Sequence, residues 1–225
     1  TTGSNATGST LSTQHCLKLN MSARMSTEAT GLVVSDLHLF ARRSIGRELM
    51  RELLPDLKDA RVLVLNGDIV DFRWSTCAHH EETLRRSIDW LTELIAALPG
   101  CAIHYVLGNH DYDDEPVTKL QAELAYHNAR PGTRWTMPAK WYRLEWPTVN
   151  PLFTCLVLDS NFKNSRISLT PEERAQQSAW LKTELAKPCT TPWLLVMAHH
   201  PLYSNCRHGD QPHLIAEWGP LFQEK

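Results

Sequence analysis

Residues 102–111 read AIHYVLGNHD: an apolar run is followed directly by Gly108, Asn109, His110 and Asp111. The run over 102–107 predicts a buried β-strand. In open α/β sheets, the loops after the carboxyl ends of the strands carry the chemistry. Since glycine and asparagine also suit a tight turn, this tetrapeptide alone does not distinguish a functional site from a surface turn.

Two earlier apolar segments, 31–34 and 61–65, end in the same way. The first is followed by Asp36 and His38, and the second by Asp68. The helical spacing of leucine and isoleucine predicts a helix after each of them, over 44–57 and 81–98. This part of the chain therefore predicts a β–α–β–α–β unit with parallel neighbouring strands and right-handed crossovers. All the polar motifs would then lie at one edge of the sheet, which favours a functional site over unrelated turns.

The residue types at this edge favour a metal centre. Asp36 and His38 are two residues apart, so in an extended segment they point to the same side and form a compact ligand pair for a divalent metal. Asp71, three residues after Asp68, could brace the metal ligands from behind. Taken alone, the Asp36–His38 pair is better explained by an Asx turn with a solvated histidine.

The second half of the chain predicts a further set of elements. A short helix is expected over 118–127, and alternating aromatic and polar residues over 131–154 predict antiparallel strands with Trp135, Trp141 and Trp146 in the core of a second sheet. The segment 152–158 predicts a buried strand. Thr170 to Glu173 form a capping box that opens a helix to about residue 186. A last buried strand, 193–197, is followed by His199 and His200, a further polar pair at a strand end.

Composition narrows the class of protein. The chain has 225 residues, of which 23 are basic and 25 acidic, so bulk charge predicts no nucleic-acid partner. No apolar run approaches the length of a membrane span. The six cysteines are widely spaced, which predicts reduced thiols and a cytoplasmic location. Residues 1–30 are predicted to be a disordered or added leader, and 31–225 one domain.

The ordered set of motifs resembles the calcineurin-like metallophosphoesterases. The set consists of Asp36-Leu37-His38, 67–71 (GDIVD), 108–111 (GNHD) and 198–201 (AHHP). The segment 201–205 with His208 most resembles the purple acid phosphatase branch, and the first half is also similar to the nucleotide-sugar pyrophosphatases of lipid A synthesis. The resemblance implies an α/β fold: a four-layer α/β/β/α sandwich of two mixed sheets.

The same resemblance implies the residue roles. Asp36 and His38 would bind one metal ion, Asn109 and His199 a second, and Asp68, with its two carboxylate oxygens, would bridge them. His110 would lie beside the leaving oxygen, oriented by Asp111, and the residues facing the substrate would be Asn109, His110, His200 and His208. The purple branch has a tyrosine after its second motif where this chain has Asp71-Phe72, so the two ions are expected to be Mn, Fe(II), Zn or a mixture.

The family pattern also ends in Gly-His-x-His, which this sequence does not contain. We therefore expect the domain over 31–225 to be incomplete at its C-terminus, with His208 and His213 too far apart in sequence to replace that motif. The expected function is hydrolysis of a small phosphate mono- or diester by a metal-bridging hydroxide. The alternatives are a metal-binding scaffold without the full site, and a nucleotide-sugar or lipid pyrophosphatase. The sequence leaves the oligomeric state open.

Overall fold

The computed structural model of the chain describes residues 31–112, 116–129, 134–162 and 169–225. The predicted leader over 1–30 and the acidic residues Asp113, Asp114 and Glu115 lie outside the described residues. The strands are β1 (Gly31–Val34), β2 (Val62–Asn66), β3 (Ala102–Val106), β4 (Trp135–Thr136), β5 (Tyr142–Trp146), β6 (Phe153–Val157) and β7 (Trp193–Met197). The helices are α1 (Gly46–Leu53), α2 (His80–Ala97), α3 (Pro116–Ala129), α4 (Pro171–Ala186) and α5 (Pro212–Gln223).

The strands form two sheets. The first has the order β1-β2-β3-β4, and each of its neighbouring pairs is parallel. The second has the order β5-β6-β7, with β5 antiparallel and β7 parallel to β6. The first sheet places the carboxyl ends of β1, β2 and β3 at one edge, as the β–α–β–α–β pattern predicted.

Three groups of buried side chains separate the elements into four layers. Because successive side chains of a strand point to opposite faces, Leu63 and Leu65 of β2 pack towards α1, α2 and α3, whereas Val62 and Val64 face the second sheet. On β6, Cys155 and Val157 meet them from the other side. The outer face of the second sheet packs against α4 and α5. The fold is therefore the α/β/β/α sandwich that the family resemblance implied. Within the described residues only the second sheet is mixed, because every strand pair of the first sheet is parallel.

Several elements differ from their predictions. Helix α1 is shorter than 44–57, and Trp135 belongs to the first sheet, parallel to β3, instead of to an antiparallel pair in the second. Strand β7, predicted to be buried, is largely exposed, with Trp193 69% accessible. Helix α5 was not predicted. The capping box of α4 is confirmed: the Glu173 amide donates to the Thr170 hydroxyl at 3.1 Å, and the Thr170 amide donates to the Glu173 carboxylate at 3.0 Å.

The cysteines of the described residues are free thiols: Cys77, Cys101, Cys155, Cys189 and Cys206. Within the same residues, no helix combines the length and apolar character needed to cross a membrane.

Candidate metal centre

The candidate site lies where the loops after β1, β2, β3 and β7 converge. The loops after β1 and β2 continue the parallel pairing of the two strands, because the Asp36 amide donates to the Gly67 carbonyl at 3.1 Å and the His38 amide to the Asp68 carbonyl at 2.9 Å. Backbone hydrogen bonds alone therefore place Asp36 and His38 beside Asp68, independently of side-chain contacts.

Three of these residues have a left-handed backbone. The φ angles are 56° at Asp36, 43° at His38 and 54° at Asp68. This region is sparsely populated by residues with a Cβ, although aspartate tolerates it better than most. The loops after β1 and β2 turn sharply here, which brings the side chains of consecutive motifs into one pocket.

Two glycines make room for the site. Gly67 has a φ of 77°, and a Cβ at this position would lie 2.6 Å from Nδ1 of His199 and 2.7 Å from Cα of Gly108. A Cβ at Gly108 would overlap the carboxylate of Asp68. The glycines that precede the second and third motifs are thus required by close approach between the loops.

The Nε2 atoms of three imidazoles converge on one oxygen, Oδ2 of Asp68. The distances are 3.3 Å for His199, 4.0 Å for His38 and 4.0 Å for His110. Asp36 Oδ1 lies 3.8 Å from Nε2 of His38. Asp68 itself is 2% exposed, and its other oxygen accepts a hydrogen bond from the His110 amide at 2.8 Å.

The opposite ring nitrogens are held by protein acceptors. Nδ1 of His199 donates to the Asn66 carbonyl at 3.1 Å, and Nδ1 of His38 donates to Asp71 Oδ2 at 3.2 Å. Nδ1 of His110 lies 3.4 Å from the same Asp71 oxygen. An imidazole whose Nδ1 donates to a carboxylate or carbonyl presents Nε2 as a lone-pair donor, which is the usual arrangement of metal-binding histidines.

Electrostatics keep the carboxylates charged. Burial raises the pKa of Asp68, but the His199 imidazole, which bonds to it, outweighs burial and lowers that pKa below its usual range. For Asp71, burial likewise raises the pKa. The hydrogen bonds from the His110 and His38 imidazoles and from the Trp74 amide lower the pKa by more, so it lies well below its usual range. Burial lowers the pKa of His199, yet the Asp68 carboxylate dominates and raises it to about 9.

The donor set fits a pair of metal ions. Two groups of ligand atoms, each lying within 4.8 Å of one another, share Asp68: one is His38, Asp68 and His110, and the other is Asp36, Asp68 and His199. Bonds of ~2.0–2.2 Å to one ion place its ligands roughly 3–3.5 Å apart, close to the separations seen here. Imidazole and carboxylate together suit Mn, Fe and Zn.

The remaining candidates lie in the same region with different contacts. Asn109 follows β3 between Gly108 and His110, and its carbonyl accepts from the Tyr112 amide at 3.2 Å. The Asp111 carboxylate accepts from the Tyr105 hydroxyl and the Gly108 amide, both at 2.7 Å. These contacts shape the loop after β3, whereas Asp71 is the carboxylate that lies beside the His110 ring.

The two substrate candidates of the second half are placed differently. His200 stacks edge-on against His199 with ring centroids 4.8 Å apart, and its Nδ1 lies 2.8 Å from the Ser160 hydroxyl. Burial and the neighbouring His199 lower its pKa to about 4, so it is neutral at physiological pH. His208 is exposed in the loop after β7 and belongs to neither ligand group.

Sequence reasoning missed the polar loop after β6. Asp159, Ser160 and Asn161 are buried there, and the Asn161 side chain donates to the Gly108 carbonyl at 3.1 Å. Asp159 also accepts from the Tyr112 hydroxyl. The signal was present, because Asp159 and Ser160 follow a predicted strand just as the other motifs do. This loop ties the second sheet to the loop that carries Asn109 and His110.

The chain belongs to the calcineurin-like phosphoesterase family: the profile with that description matches residues 31–223. It is 33% identical to tartrate-resistant acid phosphatase type 5 of Oryctolagus cuniculus over an alignment of 130 residues, and the match covers 52% of this chain and 38% of that protein. The enzyme of the same name from Homo sapiens is 30% identical over an alignment of 130 residues, and that match also covers 52% of this chain and 38% of the human protein. The chain thus matches well under half the length of these relatives. The predicted calcineurin-like family is confirmed, and the acid phosphatase relatives agree with the predicted resemblance to the purple acid phosphatase branch.

Among solved structures, the chain is similar to GAP50, described as the anchor in the inner membrane complex of Plasmodium. The TM-score is 0.63 at 16% sequence identity, and the match covers 86% of this chain and 62% of that one. At this identity, the similarity concerns the fold.

Proposed function

We propose that this chain hydrolyses phosphate mono- or diesters with a pair of divalent metal ions held by Asp36, His38, Asp68, Asn109 and His199. The observation that carries the proposal is that Asp68 belongs to two groups of ligand atoms at once, with His38 in one group and with Asp36 and His199 in the other. The family match and the acid phosphatase relatives support the reaction class. Mn, Fe(II) and Zn are the ions expected from the donor set.

The reaction has a simple balance. The oxygen of water forms a bond to phosphorus, the bond from phosphorus to the leaving oxygen breaks, and a proton ends on that oxygen. When bound, a pair of metal ions would lower the pKa of water and would neutralise the negative charge of the phosphate oxygens. The residues of this chain would hold the ions, position the phosphate and move the proton.

His110 is the proposed proton donor to the leaving oxygen. Its ring is 17% exposed, lies edge-on to His38 at 4.7 Å between centroids, and is braced at Nδ1 by Asp71. With Nδ1 facing Asp71, Nε2 is directed into the pocket, and the proton passed to the leaving oxygen is the Nε2 proton of the imidazolium form of His110. We assign the orienting role to Asp71 instead of Asp111, because Asp71 contacts the His38 and His110 rings through one oxygen.

The test is release of nitrophenol from 4-nitrophenyl phosphate by the chain with Mn²⁺. Asp68→Asn and His110→Ala should each lower kcat/KM by about a hundredfold or more. The matched control is Asp89→Asn, the same carboxylate-to-amide change at an exposed position of α2, which should keep the parent rate. Parent rates in both site variants would refute the proposal.

Metal analysis separates the enzyme from the scaffold alternative. Two tightly bound ions per chain, lost together in Asp68→Asn, are expected for the proposed site. One weak ion or none, with no turnover, would favour a scaffold that keeps the fold without the chemistry. The nucleotide-sugar or lipid pyrophosphatase is tested by replacing the nitrophenyl ester with a pyrophosphate-linked substrate. A cytoplasmic location remains a prediction from the sequence.

A further inference from the structure

Residues 108–112, which we call the β3 loop, carry two of the proposed site residues and are held from outside the first sheet. At the start of the loop, the Asn161 side chain donates to the Gly108 carbonyl at 3.1 Å. At its end, the Tyr112 hydroxyl donates to the Asp159 carboxylate. Asp159 and Asn161 both lie in the loop after β6, a strand of the second sheet. The β3 loop is thus anchored at both ends by residues to which the proposed function assigns no role.

The loop after β6 is fixed in turn by helix α4. The Asp159 amide donates to the Gln177 side chain at 2.8 Å, and that side chain donates back to the Asp159 carbonyl at 2.9 Å. The amide nitrogen of the Asn161 side chain also donates to Asp159 Oδ1, at 2.8 Å, which fixes its direction. All three residues are at most 2% exposed, so water does not compete for these bonds. A chain of buried hydrogen bonds therefore runs from α4 to the β3 loop.

Tyr112 acts in this chain as a hydrogen-bond donor. Burial, together with the charge of Asp159, raises the pKa of the Tyr112 hydroxyl well above its usual range, so the hydroxyl keeps its proton. Hydrogen bonds from a neutral donor to a carboxylate are stronger than those between two neutral groups. The Tyr112 amide also donates to the Asn109 carbonyl at 3.2 Å. A shift of Tyr112 would therefore shift the backbone that carries the site residues.

Between its two anchors, the β3 loop contacts the candidate metal centre directly. The His110 amide donates to Asp68 Oδ1 at 2.8 Å, and Nδ1 of His110 lies 3.4 Å from Asp71. The position of the His110 ring thus depends on the backbone of the loop as well as on the contact with Asp71. Since a displacement of about 1 Å at a reacting group can lower a rate roughly a hundredfold, the anchors of this loop bear on proton transfer.

We infer that Asn161 and Tyr112 are positioning residues, which hold the β3 loop so that His110 reaches the leaving oxygen. This inference rests on the proposed phosphoesterase activity and extends its machinery to the second sheet and α4. Both side chains act through the backbone of the loop, and neither belongs to a group of metal-ligand atoms. Loss of either anchor therefore slows the step in which His110 gives up its proton and has little effect on binding of the phosphate.

The experiment removes one anchor at a time. Tyr112→Phe deletes the hydroxyl and keeps the ring, and Asn161→Ala deletes the side-chain amide. With Mn²⁺ and phenyl phosphate, each variant should lower kcat about tenfold and keep KM within about twofold of the parent value. The matched control is Tyr142→Phe, which deletes a buried hydroxyl that donates at 3.0 Å to the Tyr105 carbonyl of β3, before the loop. This control should keep the parent kcat.

The choice of ester separates proton transfer from a general loss of structure. Phenol is a poorer leaving group than 4-nitrophenol, so hydrolysis of phenyl phosphate depends more strongly on a proton from His110. In both anchor variants, the fall of about tenfold in kcat for phenyl phosphate should shrink to about threefold for 4-nitrophenyl phosphate. A fraction of unfolded protein would instead lower both rates by the same factor.

A second readout needs neither substrate nor metal. In excess chelator, hydrogen exchange of the amides in the β3 loop should be about tenfold faster in both anchor variants and unchanged in Tyr142→Phe. Equal losses with the two esters, or exchange at the parent rate, would overturn the inference while the proposed function stands. If the parent hydrolyses neither ester, the proposed function is wrong; faster exchange in the variants then still supports the anchoring of the loop, and exchange at the parent rate overturns it.

Discussion

Gly108 shows how closely single residues are fitted at the metal centre. A Cβ there would overlap the Asp68 carboxylate, whereas a Cβ at Gly100 would meet nothing within 4 Å. Gly108→Ala should therefore lower the free energy of unfolding by about 1–3 kcal/mol, as overpacking of a buried site does. Urea titration measures it. Gly100→Ala is the control and should stay within about 0.5 kcal/mol of the parent; equal stability of the two variants would contradict the prediction.

Asp159 makes the stability of the chain depend on pH. Burial raises its pKa from 3.8 to about 6, although the Tyr112 hydroxyl, Asn161 and the charge of Lys140 all lower it. Between these values the folded chain holds a proton that the unfolded chain has released. The contribution of this group to stability is therefore full below pH 3.8 and is lost as the pH rises through about 6.

The variant Asp159→Asn replaces the ionisable carboxyl group with an amide, which does not titrate. As the pH rises from 4 to 7, the free energy of unfolding of the variant minus that of the parent should increase by about 2–3 kcal/mol. Denaturant titrations at several pH values measure the difference. Asp56→Asn, at an exposed turn after α1, should leave the pH profile unchanged. A difference that does not vary with pH would show that Asp159 ionises normally in the fold.

The positions of Asp36, His38, Asp68, His110 and His199 near one another could be predicted, because each follows the end of an apolar segment. The double contact of Asp71 with His38 and His110 could not. It depends on the side-chain directions that the left-handed turns produce, and sequence spacing does not specify them. The bridge between Ala41 and Ser75 could not be predicted either, because it joins segments that are distant in sequence.

Among the elements, α4 has the clearest local signal. The reciprocal Thr170–Glu173 bonds satisfy amide groups that the first turn of a helix leaves without partners. Thr170→Ala should lower the free energy of unfolding by about 1 kcal/mol. Thr183→Ala, the same change at an exposed position in the last turn of α4, should alter stability by less, since alanine is the better helix former. Thermal unfolding of both variants measures the effect, and an equal change in both would exclude capping.

The wrong predictions for β7, Trp135 and α5 have physical reasons. The apolar composition of a segment such as β7 indicates that the segment can be buried, but it does not indicate which element covers it. Trp135 alternates with polar residues in the same way whether its strand joins the first or the second sheet. Helix α5 contains Gly219 and Pro220, which suggest a break, but Pro212 opens the helix and Pro220 lies in its last turn, where few backbone bonds are affected.

For the whole molecule, metal binding and folding are coupled. Ions that bind only the folded chain stabilise it by about 2.7 kcal/mol at a hundredfold excess over the dissociation constant. Mn²⁺ should therefore raise the midpoint of thermal unfolding by about 5–10 °C in a chain of this size. The shift should disappear in Asp68→Asn and persist in Asp89→Asn. An identical midpoint in Mn²⁺ and in chelator would contradict metal binding by the parent.

The left-handed backbone at Asp36, His38 and Asp68 has a consequence for laboratory evolution. Holding non-glycine residues in such conformations costs on the order of 1 kcal/mol each, and glycine adopts them freely. At Asp36, whose side chain is exposed, Asp36→Gly is thus a simple route to a more heat-resistant metal-free chain. A screen that rewards thermal tolerance alone would favour this change and discard a metal ligand, so such a screen must also reward turnover.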